Sequence, residues 1–147
     1  MIDSRTAPYA ALVLRVTLGA MFLAHAGLKL FVFTPAGTAK FFGSLGFPPE
    51  LAYLVMTIEL LSGIALILGV WTRYAALAGI PVLLGAIFTV HAAAGFFFTN
   101  PKGGWEYPAF WAIALVAQAL LGDGAFALRP SRDVEAANGQ LSVAPSR

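Results

Sequence analysis

The chain has 147 residues, of which 59% are hydrophobic and 11% are charged, and this composition argues against a soluble domain, which is roughly 45–50% apolar and 25% charged. The net charge of +2 comes from 9 basic and 7 acidic residues, too few for a basic stripe, so we expect no nucleic-acid partner. Cysteine is absent, which excludes disulfides, thiolate metal ligands and dithiol relays, so any redox chemistry must use a cofactor or another subunit.

Four apolar runs are each long enough to cross a membrane, whose hydrocarbon core needs about 20 apolar residues in a helix. The predicted spans are residues 9–31, 51–70, 74–95 and 107–128, separated by polar residues, glycines and prolines. Ala24-His25-Ala26 also has the small-x-small pattern of a signal-peptidase site, but we expect the segment to be retained as a span. The prediction is an all-α, membrane-spanning four-helix bundle in one domain, residues 1–128.

The connections between the spans differ in length. Prolines and glycines interrupt residues 32–50, so we expect a long loop with a short interfacial helix around Thr38 to Leu45. Residues 71–73 are a short break, so spans two and three should form an antiparallel hairpin. Residues 129–147 are polar, with few large apolar side chains, and we expect a disordered tail.

Basic residues near the span ends set the expected orientation. One side carries Arg5, Arg73, Arg129 and Arg132, with Arg147 further out, and the other carries Lys40 and Lys102. The excess of arginine favours both termini in the cytoplasm. We therefore expect a multi-pass protein of the cell inner membrane, surrounded by lipid.

Titratable residues inside the spans are the candidate functional residues, because charge at bilayer depth is costly and usually faces a partner or a wet cavity. At about 1.5 Å per residue, His25 lies roughly 7 Å and His91 roughly 9 Å from the midplane toward the outer face. Glu59 lies near the midplane, and Glu106 at the outer end of span four. Four helices thus place titratable groups in one half of the membrane, where we expect a pocket.

Span one carries three polar residues on one face. At 100° per residue, Arg15, His25 and Lys29 fall within an arc of about 80°. Lys29 either snorkels to the surface or joins the pocket. Arg15 either snorkels to the cytoplasm or pairs with Glu59 as its counter-ion.

Other polar and small residues have structural interpretations. Ser62 and Gly63 share the face of Glu59, where they would let another helix approach closely. Gln118 is expected to form a helix-to-helix hydrogen bond. The Phe41-Phe42 pair and residues 96–98, all phenylalanine, are expected to be interfacial anchors, although Phe97 and Trp105 could flank a ligand at the outer mouth.

Several motifs in fixed order resemble the DoxX family of small four-helix membrane proteins. They are R-x-x-x-G at Arg15 to Gly19, H-x-x-x-K-L at His25 to Leu30, F-x-x-L-G-F-P at Phe42 to Pro48, E-L-L-S-G at Glu59 to Gly63, L-G-V-W-T-R at Leu68 to Arg73, V-H-x-x-x-G-F-F at Val90 to Phe97, and G-G-x-E-Y at Gly103 to Tyr107. The similarity covers about residues 10–124. It implies a membrane bundle linked to respiratory or oxidative-stress redox chemistry, with a redox partner protein.

The favoured hypothesis is a quinone-linked subunit of a membrane oxidoreductase. Quinone reduction needs protons and hydrogen-bond donors, which His25, Lys29, Glu59 and His91 could supply as catalytic residues. Arg15, Glu106, Phe97 and Trp105 are the candidate cofactor-binding residues, and no metal site is expected. The alternatives are a noncatalytic scaffold or small-molecule carrier, possible also as a homo-oligomer, and a haem or metal held by His25 and His91.

Overall fold

The computed structural model describes residues 3–129 as an all-α structure, as predicted. Its α-helices are α1 (Ala7–Gly27), α2 (Pro35–Ser44), α3 (Leu51–Leu68), α4 (Thr72–Ala86) and α5 (Glu106–Leu121). A π-helical turn follows α1 at Leu28–Val32, another follows α4 at Ile87–His91, and a 3-10 turn covers Ala92–Ala94. The predicted disordered tail, with Arg132 and Arg147, lies outside the described residues except for Arg129.

The four long helices form a ring in which α1 packs on α3, α3 on α4, α4 on α5 and α5 on α1. The contact of α3 with α4 agrees with the predicted hairpin. Large apolar side chains fill the centre, and they include Leu18, Phe22, Leu66, Leu83, Trp111 and Leu115. Large apolar side chains also cover the outside, as at Val13, Phe88, Phe110, Ile113 and Leu120. A bundle that is apolar inside and outside is typical of a protein whose solvent is lipid.

Within residues 3–129, three helices are long and apolar enough to cross a membrane by length and composition, namely Ala7–Val32, Leu51–Leu68 and Thr72–Ala94. The fourth predicted span is shorter than expected, because α5 ends at Leu121 rather than at residue 128. Gly122 has φ 86° and turns the chain out of the helix. Gln118 donates to the Gly122 carbonyl at 2.7 Å, so its partner lies at the end of its own helix and the predicted helix-to-helix bond is wrong.

Residues 122–129, here called the closing segment, fold across one end of the bundle. The Ala125 amide donates to the Pro8 carbonyl at 2.9 Å, and the Leu128 amide donates to the Leu68 carbonyl at 3.1 Å. We call this the proximal end; it also holds the start of α1 and the turn at residues 69–71. The opposite, distal end holds the connections 28–50 and 92–105.

The basic residues divide between the two ends as the sequence predicts. Arg5, Arg73 and Arg129 lie in elements of the proximal end, whereas Lys40 and Lys102 lie in the distal connections. Which end faces the cytoplasm stays a prediction.

Helices α1 and α3 cross at a contact between two glycines. A Cβ atom on Gly19 would lie 2.8 Å from the Gly63 carbonyl oxygen, and one on Gly63 would lie 3.1 Å from the Gly19 carbonyl oxygen. Ser62 is buried beside them. The predicted close approach at Ser62 and Gly63 is therefore confirmed, and it brings the backbones of α1 and α3 together near the middle of the bundle.

The loop between spans one and two contains the predicted short helix, although it begins earlier than expected. Thr34 caps α2 by accepting a hydrogen bond from the Gly37 amide at 3.2 Å, and Pro35 occupies the first helical turn. The Thr38 hydroxyl donates to the Thr34 carbonyl at 3.0 Å. Helix α2 packs on α3 and on the first π-helical turn, so it covers the distal end of the bundle.

Candidate functional site

A cavity of about 490 Å³ lies among the helices in the distal half of the bundle. This volume lies within the range of small-molecule sites, roughly 300–1,000 Å³. Most of the lining side chains are apolar, and its titratable residues are His25, Lys29, Glu59, His91 and Tyr107. The structure thus brings the four predicted catalytic residues, from α1, α3 and the two π-helical turns, to one cavity.

An ion pair between Lys29 and Glu59 lies in the wall of this cavity. The Lys29 ammonium donates to both Glu59 carboxylate oxygens, at 2.7 and 2.8 Å. The Glu59 side chain is 5% exposed and that of Lys29 is 20% exposed. Lys29 therefore turns inward to α3 instead of snorkelling, which decides between the two alternatives left open by the sequence. A carboxylate at this depth is paired, as the cost of burying it requires.

The ring of His25 presents one free nitrogen. Its Nδ1 lies 2.9 Å from the Met21 carbonyl, and because a carbonyl can only accept, Nδ1 carries the proton. Nε2 has no hydrogen-bond partner within residues 3–129. The ring packs on Trp111, with 4.9 Å between ring centroids. His25 therefore offers a hydrogen-bond acceptor at Nε2 when neutral and a donor when protonated.

His91 and Tyr107 form a second polar pair in the cavity wall. The Nδ1 atom of His91 lies 2.9 Å from the Gly103 carbonyl, so that nitrogen carries the proton for the same reason. Nε2 then accepts from the Tyr107 hydroxyl at 3.0 Å. Both ring nitrogens are occupied, and the pair links α5 to the end of α4.

The two π-helical turns carry one residue of each polar pair. Lys29 lies in the turn Leu28–Val32 and His91 in the turn Ile87–His91. In the first, the Phe33 amide donates to the Leu28 carbonyl, five positions earlier, at 2.8 Å. Short π-helical turns are rare and occur frequently at functional sites. Both turns widen their helices beside the cavity.

Arg15 lies away from the cavity, at the proximal end. Its guanidinium donates to the carbonyls of Leu66 and Ile67 at 3.3 and 3.2 Å, and to the Ala125 carbonyl at 2.9 Å. The last carbonyls of a helix lack intrahelical partners and carry partial negative charge, which favours a cation there. The predicted pairing of Arg15 with Glu59 is therefore wrong. The structure does not place this residue, a predicted cofactor ligand, beside the other site residues.

Three other candidate cofactor-binding residues form a separate cluster in the distal connection. The Glu106 carboxylate accepts from the Phe98 amide at 2.9 Å. Trp105 packs edge-on against Phe96, with centroids 4.8 Å apart. Phe97 is exposed. Glu106, Phe97 and Trp105 do not line the cavity.

Aromatic residues of the cavity wall were not identified as site residues from the sequence. They are Phe33, Phe41, Phe42, Phe47, Tyr107 and Trp111. The Phe41-Phe42 pair was expected to be an interfacial anchor. The signal that could have identified Tyr107 and Trp111 is their spacing of four residues, which puts them on one face of α5.

Metal coordination gains no support from the residues that the structure describes. Within residues 3–129, no group of three or more His, Cys, Asp and Glu side chains is placed to hold a metal ion. A haem between the two histidines would also require His91 Nε2 to release the Tyr107 hydroxyl.

Comparison with known proteins identifies the family. The chain matches DoxX over residues 10–92. It belongs to the DoxX family. A Bacillus subtilis (strain 168) protein named "Putative oxidoreductase CatD" is 35% identical to it over 132 residues, which cover 90% of this chain and 93% of the relative. No solved structure is significantly similar to the chain. The resemblance found in the motifs is confirmed, and the apolar helices agree with a membrane protein.

Proposed function

We propose that this DoxX protein is the membrane subunit of a quinone-linked oxidoreductase and that its cavity binds the quinone head group. The name of the Bacillus subtilis relative, which calls it an oxidoreductase, supports the reaction class. The observation that carries the proposal is the Lys29–Glu59 ion pair in the wall of an otherwise largely apolar cavity. We also propose a multi-pass topology in the cell inner membrane with the proximal end in the cytoplasm, because arginine is concentrated there.

The cavity fits a flat ring that is apolar except for its two carbonyl oxygens. Aromatic side chains such as Trp111 and Phe42 form much of its wall, and ring stacking on them is favourable. A carbonyl oxygen needs a donor, which Lys29 can supply because an ammonium has three N–H groups. His25 offers its second nitrogen on the same helix. A bound quinone would supply two-electron, two-proton acceptor chemistry.

Proton transfer is the task that the titratable residues of this chain can perform. Glu59 touches the cavity and is hydrogen-bonded to Lys29, so the Lys29 ammonium can give a proton to a reduced quinone oxygen. That loss leaves the Glu59 carboxylate as an unpaired buried charge, which favours prompt reprotonation of the pair. The Tyr107–His91 pair is a second group that can hold and pass on a proton. Tyr107 is also partly exposed at the start of α5.

Electrons must come from a partner redox protein in this proposal. The chain contains no cysteine, and therefore no thiolate ligands for an iron–sulfur cluster. It also lacks a glycine-rich dinucleotide fingerprint. The protein would therefore bind the electron acceptor and move protons, while the partner supplies reducing equivalents.

A second candidate function is a noncatalytic membrane scaffold or carrier. The same ion pair favours it, since it links the first π-helical turn to α3 and buried ion pairs can fix one arrangement of a bundle. In that case the two charges matter for stability and not for binding.

A quinone titration can separate the two functions. Trp111 lines the cavity, so its fluorescence reports a bound quinone in a Trp71→Phe/Trp105→Phe background reconstituted in nanodiscs. The test variant is Lys29→Met/Glu59→Gln, which removes both charges together. The matched control is Lys40→Met/Glu50→Gln, the same changes at exposed distal positions.

The proposal expects quinone affinity to fall by at least about tenfold in the Lys29/Glu59 variant, while the melting temperature stays near that of the control. A scaffold would instead show a lowered melting temperature and no saturable quenching in the parent protein. If the parent binds and both variants bind equally well, the ion pair is not part of a quinone site.

A further inference from the structure

The lining and exposure of several residues point to a side opening of the cavity between the distal halves of α3 and α4. The two helices are joined by a short turn at the proximal end, residues 69–71. Towards the distal end, residues of both helices line the cavity and are also exposed. They are Leu54 on α3, together with Pro81, Gly85 and Thr89 of α4 and the π-helical turn that follows it. These four residues are here called the lateral opening.

The α4 side of the opening is one stripe along the helix. Pro81, Gly85 and Thr89 are spaced four residues apart and so lie on one face. On the opposite side, Leu54 is 55% exposed although it lines the cavity. Ile58 and Leu51 also line the cavity from α3.

Gly85 leaves the middle of this stripe without a side chain. A Cβ atom built on Gly85 meets no other atom within 4 Å. The Thr89 hydroxyl donates to the Gly85 carbonyl at 2.8 Å, which turns its polar atom to the backbone and leaves an apolar surface at the opening. A side chain at position 85 would therefore project into open space beside the cavity.

We infer that the ligand enters from the membrane through the lateral opening, and that it carries a long apolar chain that lies there when the head group is bound. This inference rests on the proposed function and names the ligand class as a quinone with an isoprenoid chain. Position 85 then determines specificity, because its lack of a side chain leaves room for the chain of the ligand.

The surroundings of the opening favour entry from lipid over entry from water. Neighbouring exposed side chains on the outside of α4 and its π-helical turn are apolar, as at Leu84 and Phe88. The distal end is instead covered by α2, which contributes Phe41 and Phe42 to the cavity wall. A chain that stays in apolar surroundings avoids the cost of crossing water.

The test compares two quinones that share a ring, one without a chain and one with an isoprenoid chain. Each is titrated in nanodiscs by Trp111 fluorescence in the Trp71→Phe/Trp105→Phe background. Two variants fill the opening from opposite sides: Gly85→Leu and Leu54→Trp, the latter read by calorimetry because it adds a fluorophore.

Matched controls make the same changes away from the opening. Gly27→Leu places leucine at another helical glycine whose Cβ would meet nothing within 4 Å, and Gly27 does not line the cavity. Leu61→Trp, also read by calorimetry, changes an exposed leucine two turns further along α3, at the same face but towards the proximal end.

We expect both opening variants to weaken binding of the chain-bearing quinone by about tenfold or more, with the chainless ring changed by no more than about twofold. Both controls should bind both quinones like the parent. Unchanged binding of the chain-bearing quinone in both opening variants, or an equal loss for the two ligands, would overturn the inference while the proposed function stands. Failure of the chainless ring to bind the parent protein would overturn the proposed function itself.

Discussion

The two ends of the bundle accommodate buried charge in different ways. At the proximal end, Arg15 is enclosed and donates to backbone carbonyls of α3 and of the closing segment. At the distal end, Lys29 and Glu59 satisfy each other beside a cavity. Carbonyls cannot titrate, so the proximal arrangement is fixed. A lysine–glutamate pair can exchange protons and partners, so the distal arrangement can bind and react.

The sharpest way to test the structural role of the proximal end is Arg15→Met. The change leaves the Leu66, Ile67 and Ala125 carbonyls without their guanidinium donor, and we expect a loss of about 3–5 kcal/mol in the free energy of unfolding. Thermal unfolding in detergent measures it, with Arg5→Met as the exposed control. A loss no larger than that of the control would contradict a structural role of Arg15 in closing the proximal end.

The distal pair should be sensitive to losing one partner and tolerant of losing both. Lys29→Met leaves the buried Glu59 carboxylate unpaired, at an expected cost of about 3 kcal/mol. Lys29→Met/Glu59→Gln should recover most of that loss, which a double-mutant cycle measures. If the double variant were as unstable as the single one, the pair would have a structural role like that of Arg15. The contrast between the two ends would then disappear.

Gly69→Ala tests how tightly the proximal end is closed. Gly69 ends α3 with φ 67°, and an added Cβ atom would collide with the Arg15 guanidinium and the backbone of Ala127. We expect a loss of about 2 kcal/mol. Gly27→Ala, in helical conformation and open space, should instead be neutral or slightly stabilising in the same unfolding measurement. Equal behaviour of the two variants would show that the end is loosely packed.

Tyr107→Phe is expected to have the smallest effect on stability. It removes one hydrogen bond, to His91 Nε2, at an expected cost of about 1 kcal/mol. Nitrogen-15 NMR of labelled histidine should show that His91 carries its proton on Nδ1 in the parent protein and that the Nε2 resonance moves in the variant. Tyr53→Phe, at an exposed tyrosine of α3, is the control. A proton on Nε2 in the parent would contradict the structure of this pair.

The sequence predicts the distal cluster better than the proximal one, for a physical reason. His25, Lys29, Glu59 and His91 lie within apolar runs, where a polar residue needs a partner and helical depth limits which partners it can reach. The hydrogen-bond partners of Arg15 are backbone carbonyls, which no side-chain pattern reveals, and one of them belongs to Ala125 in the closing segment. The carboxylate that attracts its charge, Asp123, lies in the same irregular segment.

Local geometry also limits what the sequence predicts of the fold. Four apolar runs identify the bundle, but the end of α5 at Leu121 depends on the conformation of Gly122 and on the folding back of the closing segment. The π-helical turns interrupt the regular α-helical repeat of about 100° per residue that the sequence analysis used for each span. Residues 95–106 fold back on themselves through backbone hydrogen bonds from Trp105 to Gly95 and from Glu106 to Phe96. This keeps Phe97 and Trp105 out of the cavity wall, although the cavity residues His91 and Tyr107 lie nearby in the sequence.

The most direct test of the central claim is the absorption spectrum and extracted lipid of gently purified protein, with Lys29→Met/Glu59→Gln and Lys40→Met/Glu50→Gln purified in parallel. We expect about one isoprenoid quinone per chain in the parent and in the Lys40/Glu50 control, a clear loss in the Lys29/Glu59 variant, and no haem band. A folded parent protein without quinone, or with quinone retained equally in all three, would contradict a quinone site at this ion pair.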